Sequence, residues 1–197
     1  MEQSEKEASW YGTLVQFSRQ YHHHRRLRYA VHFILFLTAM SVFFMFKKSL
    51  FFLVIFLAAN MIAGMVLRGP LRLLLFGVEM VMMPTVLSGI AFGSGAGVLT
   101  GVATAVVMLF FQGASPLFAL VFIPLYGLSG FVAGQFPSAN LMALGIGLSV
   151  IYSAISSFFI FMMGGKVWKC GWFIATNLVC NAFLFVSVAP WLLKAMT

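Results

Sequence analysis

Aspartate is missing from this 197-residue chain, and acid of any kind nearly so: Glu2, Glu5 and Glu7 sit at the N-terminus, and Glu79 is the only carboxylate side chain beyond them. A paired-carboxylate acid–base centre or an acidic metal cage has no residues to be built from. Histidine is confined to His22, His23, His24 and His32. No Walker A loop, His-Glu-x-x-His or Gly-x-Ser-x-Gly occurs, so nucleotide, zinc-hydrolytic and serine-hydrolytic chemistry lack their usual groups. The expectation is a protein that is not an enzyme, with no catalytic residues, no metal and no cofactor. An ATP-driven process would need a separate ATPase. Cysteine is limited to Cys170 and Cys180. On one helix these would stand ~15 Å apart, too far to bridge, so both read as free thiols. Charge is scarce as well, at 8% of residues, which excludes a water-soluble domain of this size.

What is present is apolar. Hydrophobic residues make up 62% of the chain and the mean hydropathy is +1.02. Apolar runs of about 18–25 residues recur, the length that crosses a ~30 Å hydrocarbon core as helix. The runs are continuous rather than alternating, which argues against a β-barrel. The sequence predicts an all-α polytopic membrane protein: a bundle of six or seven transmembrane helices over 29–197, preceded by a basic arm over 1–28. In the arm, Trp10, Leu14, Phe17 and Tyr21 fall at i, i+4, i+7 and i+11, the stripe of an interfacial amphipathic helix. The three adjacent histidines before Arg25, Arg26 and Arg28 read as a headgroup-facing collar, because neighbours on a helix diverge while metal ligands converge.

The segments read as 29–46, 49–67, 71–92, 96–112, 116–134, 140–163 and 171–193, with a glycine turn at Gly93–Gly97. Net charge is +8 from 12 Lys and Arg, gathered in the arm and at segment ends. That distribution suits the anionic lipid of a bilayer, not nucleic acid. Seven crossings with a cytoplasmic N-terminus put the arm, Arg68, Arg72, Lys166 and Lys169 inside and leave Lys47, Lys48 and Lys194 outside, as the positive-inside rule prefers. The expected location is the cell membrane. If 29–46 does not cross, every later loop changes side. Trp10, Trp168, Trp172 and Trp191 fit an interfacial belt.

Two stretches share a pattern: Leu87-Ser88-Gly89 followed by Gly93, and Leu128-Ser129-Gly130 followed by Gly134. They read either as a parallel repeat or as coincidence among common residues. The ladder Gly89, Gly93, Gly97, Gly101 points to close helix approach, since small residues four apart leave a groove for a neighbour. Gly89, Gly93, Gly101, Gly130 and Gly134 are the packing candidates, with Gly95 and Gly97 assigned to the turn. Glu79, placed mid-segment, is costly in lipid and should face the bundle interior. It reads as a ligand- or proton-binding group, or as the ion-pair partner of Arg72. Asn60, Asn177, Asn181, Tyr126 and Tyr152 are the embedded polar side chains that could line a pocket with it, and Thr85 and Gln112 could add hydrogen bonds.

From Met83-Pro84-Thr85 through Leu87-Ser88-Gly89, Phe92-Gly93 and the glycines up to Gly101, the chain resembles the substrate-binding S components of energy-coupling-factor (ECF) vitamin transporters. Gly113-Ala114-Ser115-Pro116 and Gly127 to Gly134 resemble the loop and span that follow in that family. Ala59-Asn60-Met61-Ile62-Ala63 resembles its small-xxx-small contact with the coupling subunit. The resemblance covers roughly 50–192. It implies a six-helix bundle that takes up a vitamin or precursor and docks to a transmembrane coupling subunit and two ATPases, with Ala59 and Ala63 at that contact. The chain departs from the family in its additional N-terminal segment. Aligning segments two to seven with six family helices also places Arg68, Arg72, Lys166 and Lys169 outside, against the charge count. The leading expectation is a substrate-binding subunit for uptake of a small organic solute, energised by partners, with Glu79, Asn60, Asn177, Asn181, Tyr126 and Tyr152 at the solute. The alternative is a non-catalytic membrane scaffold of envelope or morphogenesis machinery.

Overall fold

The computed structural model describes residues 47–67 and 79–197. The amphipathic arm, segment 29–46, Arg68, Arg72 and most of the first half of the third segment lie outside the described residues. Contacts divide the chain into Met1–Lys47 and Lys48–Thr197, and every helix below belongs to the second unit. In chain order these are α1 (Lys48–Leu67), α2 (Met82–Phe92), α3 (Ser94–Gln112), α4 (Pro116–Gln135), α5 (Leu141–Met162), α6 (Val167–Phe183), a π-helical turn (Leu184–Val188) and α7 (Ala189–Met196). No strand occurs among the described residues.

Five stretches are long and apolar enough to cross a membrane: Lys48–Leu67, Ser94–Gln112, Leu117–Gln135, Leu141–Met162 and the run Val167–Met196. Their outward faces carry large apolar side chains. Phe110 is 76% exposed, Leu120 75% and Trp191 78%, a surface that only lipid or protein covers without penalty. The chain is an integral membrane protein by this measure.

The third segment differs from its expected form. Helix α2 has 11 residues, and at 1.5 Å per residue it spans only about 16 Å, half a bilayer core. It starts at Met82, with Val81 as N-cap, so Glu79 lies outside it and not in mid-helix. Pro84 accounts for the start. Deep inside a helix its ring would clash with the carbonyl four residues back, whereas in the first turn its missing N–H has no partner to lose. Met82 to Gly89 are all buried, so α2 is a half-helix enclosed by protein. Non-helical backbone at membrane depth is tolerated where protein encloses it.

Gly93 makes the turn into α3 with φ +89°, a left-handed conformation that favours glycine. The reversal needs only this residue. Gly97, assigned to the turn from sequence, lies inside α3 and packs against Gly130: a Cβ there would meet Gly130 O at 2.4 Å. Gly93 itself has nothing within 4 Å of a built Cβ, so it serves the turn and not a helix contact. Gly89 approaches Gly130, Ala133 and Gly134, while Gly101 approaches Tyr126 and Thr85, and Gly134 approaches Ser94. The two Leu-Ser-Gly stretches therefore pack on each other. The pairs 94/134, 97/130 and 101/126 run in opposite senses, which makes α3 antiparallel to α4.

Two groups of helices result. α1, α2, α3 and α4 pack closely, with Gly64 of α1 set against Met108 and Phe111 of α3. α5, α6, the π turn and α7 form the second group, where Gly145 accommodates the Phe185 ring. The groups meet along a thinner seam, chiefly α4 on α5, with α2 touching α5 and α7. The last segment also differs from its expected form: it begins at Val167 and widens into a π turn, where the Ala189 N–H bonds the Leu184 carbonyl five residues back. Pro190, which has no N–H to offer Val186, follows directly.

Candidate functional site

Glu79 is half-buried, two residues ahead of the N-cap of α2, at the positive end of that helix dipole. Its carboxylate Oε2 accepts a hydrogen bond from the Tyr126 hydroxyl of α4. The same oxygen accepts from Asn177 Nδ2 of α6 at 3.4 Å. Asn181, one turn further along α6, donates from Nδ2 to Asn177 O and Oδ1, both at 3.1 Å. Tyr152 of α5 stacks on Tyr126, ring centroids 4.5 Å apart. Its hydroxyl faces the Glu79 carboxylate but closes no regular hydrogen bond among the described residues. Asn60 of α1 reaches the adjoining backbone: its Nδ2 donates to Phe56 O at 2.9 Å and to Met80 O at 3.4 Å. All six side chains singled out as solute contacts thus come together: Tyr126, Tyr152 and Asn177 at the Glu79 carboxylate, Asn181 behind Asn177, and Asn60 one residue along the chain at Met80 O. They converge from α1, α4, α5, α6 and the approach to α2, at the seam between the two helix groups.

Local sequence explains the arrangement. Asn177 and Asn181 are four apart and so share the inner face of α6, both buried. The Gly101 contact draws α3 against the Tyr126 backbone and fixes the level of the tyrosine. Thr85, another candidate, turns away and returns its hydroxyl to Val81 O at 2.7 Å, and Gln112 stands at the far end of α3. The Arg72 pairing considered for Glu79 lies outside the described residues.

The serines of α5 belong to no motif in the sequence, yet they border the site. Ser149, Ser153, Ser156 and Ser157 are buried on the same side of α5 as Tyr152. Ser153 Oγ donates to Asn177 Oδ1 at 3.0 Å, which ties the serine face to the carboxylate through one amide. Their spacing, with Tyr152 at i+3 of Ser149, was the available signal. Cys180 also borders the site, its thiol against the Glu79 backbone N–H. Both cysteines are free, and Cys170 packs its thiol on Ser157 O at 3.6 Å.

The cluster joins one carboxylate, amides with donors and acceptors, two stacked phenols and hydroxyls. It can hold a polar group or a proton by hydrogen bonding. No group of three or more His, Cys, Asp or Glu forms among the described residues. An open cleft of about 690 Å³ lies elsewhere, between the start of α5 and α7, lined by Leu141, Met142, Phe185 and Pro190 with Lys194 at its rim. It is mainly apolar and shares no residue with the Glu79 cluster, so convergent polar groups, not cavity size, single out the site. No family model matches the chain, and no curated protein or solved structure matches it.

Proposed function

We propose that this chain is a membrane-embedded, non-catalytic subunit that binds a small polar organic solute at the Glu79 cluster and relies on partner proteins to energise uptake. The observation that carries the reading is the convergence of Tyr126, Tyr152, Asn177, Asn181 and Asn60 on the approach to α2, around the only acid among the described residues. An intramembrane carboxylate is costly unless it serves a purpose, and buried amides and phenols are the groups that orient a polar ligand. Enclosed half-helices at a bundle interface are a recurrent setting for transporter sites. The seam adds a route, because the helix groups that meet at Tyr126 and Tyr152 pack more thinly there than within themselves. The resemblance to ECF S components suggests a vitamin or precursor as solute, and a coupling subunit with ATPases as partners.

The scaffold alternative draws less support. Gly89, Gly101, Gly130 and Gly134, which it would offer to partners, are occupied by contacts within the chain.

The test is a thermal-shift screen of water-soluble vitamins and their precursors on the full chain in nanodiscs. At least one compound should raise the melting temperature. Glu79→Gln should weaken its binding tenfold or more, about 1.4 kcal/mol. No shift from any compound, or equal binding by Glu79→Gln, would sink the reading.

A further inference from the structure

Several hydroxyls buried in the described helices return to the carbonyl four residues back. Ser149 donates to Gly145 O at 2.8 Å, Ser129 to Leu125 O at 2.9 Å and Thr104 to Thr100 O at 2.6 Å. Three on α5 do not. Tyr152 Oη, Ser156 Oγ and Ser157 Oγ are buried and close no hydrogen bond of regular geometry among the described residues, with Tyr152 Oη standing between the Glu79 carboxylate and the Ser156 hydroxyl. Their relative exposures are 2%, 0% and 7%. A buried hydroxyl without a regular hydrogen bond costs stability unless water satisfies it, and here three follow one another on one helix face.

The column has a direction. It starts at the carboxylate, where Tyr152 faces Glu79 and Ser153 reaches it through Asn177. It then climbs toward the α5–α6 loop, five residues from Tyr152 to Ser157, about 7.5 Å along the helix. On the opposite side of Tyr152 the next hydroxyl, Ser149, is already satisfied. Beyond Ser157 one buried apolar side chain of α5, Ile160, precedes the helix end, and the loop carries exposed Lys166.

We propose that the serine face of α5 holds a file of water through which protons reach Glu79 from the membrane face bearing the α5–α6 loop. A proton entering past Ile160 passes along water held by Ser157, Ser156 and Tyr152 and ends on a Glu79 carboxylate oxygen, giving a neutral carboxyl. The reverse transfer returns it to the same bath and restores the carboxylate. The titratable groups facing Glu79 among the described residues are Tyr126 from α4, Tyr152 from α5 and Cys180 from α6, while α1 offers the neutral Asn60. The path rests on Glu79 being the working group of the proposed site, and it gives that group a means of changing charge as solute comes and goes.

The experiment uses the full chain with Glu2, Glu5 and Glu7 changed to Gln, reconstituted in liposomes of known orientation. The Glu79 carboxyl band is followed by infrared spectroscopy after a pH step applied to one bath. The band should respond to the bath that faces the α5–α6 loop. Ser156→Ala with Ser157→Ala should slow the response tenfold or more, and Ser149→Ala should leave it unchanged. A response to the opposite bath, or an unaltered rate in the double variant, overturns the path. Should the double variant fail to fold, Ile160→Ser reads the same route from its entrance: a faster response is expected, and an unchanged one overturns the proposal. Slowed protonation together with no solute binding by the unaltered chain keeps the path and removes the solute reading. Solute binding with unaltered protonation does the reverse.

Discussion

Single glycines decide how close the backbones of α2, α3 and α4 come, and each makes a separate claim on stability. A Cβ at Gly130 would stand 2.2 Å from Gly97 O, backbone that cannot swing aside. Gly130→Ala should therefore destabilise the bundle by about 1–3 kcal/mol, the usual cost of overpacking, seen as a lower melting temperature in detergent. Gly147, on α5, has nothing within 4 Å of a built Cβ and no positive φ. Gly147→Ala should stabilise by about 0.5–1 kcal/mol through helix propensity alone. The opposite signs, measured side by side, separate the contact role from the composition of the spans. Spacing in the sequence marked Gly89, Gly101, Gly130 and Gly134 because a four-residue period is a helix face. The same period could not say that the ladder is cut at Gly93, because Gly93 and Gly97 differ only in backbone conformation and in what lies opposite.

Helix ends carry the next level of specificity. Asn140 caps α5 in the regular way: its Oδ1 accepts from Met142 N at 3.0 Å and from Ala143 N at 3.1 Å. Asn140→Ala should cost about 1 kcal/mol, and the first-turn amides should exchange with solvent about fivefold faster by mass spectrometry. Because α5 supplies Tyr152 and the serine face, a frayed start tests whether the site tolerates motion of its element. Helix α2 shows where hydropathy misleads. Its residues extend the apolar run of 71–92, so a window of average hydrophobicity reads one full crossing. Pro84 was visible in that run, but a proline fixes a helix start only when the preceding backbone has somewhere else to go, which depends on the helices enclosing it.

At the scale of the molecule, the two helix groups and their thin seam set out what can move. The faces left to partners are a separate matter. On α1, Ala59 is exposed and Ala63 half-exposed, with Ile62 at 59% and Met65 at 51% beside them. Under the proposed function this surface meets the coupling subunit. Ala59→Leu with Ala63→Leu is expected to abolish co-purification of that subunit while leaving solute binding unchanged, since neither alanine takes part in the Glu79 cluster. Retained co-purification would remove α1 from the docking surface.

The sequence by itself determined the solvent and the secondary structure. A chain this apolar and this poor in charge belongs in lipid, and lipid requires the backbone it touches to be bonded internally, which continuous apolar runs achieve as helix. Most segment ends followed, because turn glycines, prolines and lysines mark where the apolar runs stop. It also named the six polar residues around the site, since a polar side chain in an apolar run stands out whatever its neighbours. Only the tertiary structure decided that those six meet, that Glu79 precedes a half-helix, and that the Leu-Ser-Gly stretches lie against each other. It alone left the hydroxyls of Ser156 and Ser157 without a regular hydrogen bond. The physical reason is common to all of these. Helical periodicity fixes which face a residue occupies, but contact across helices depends on how deeply each pair packs, and here glycines distant in sequence set that depth.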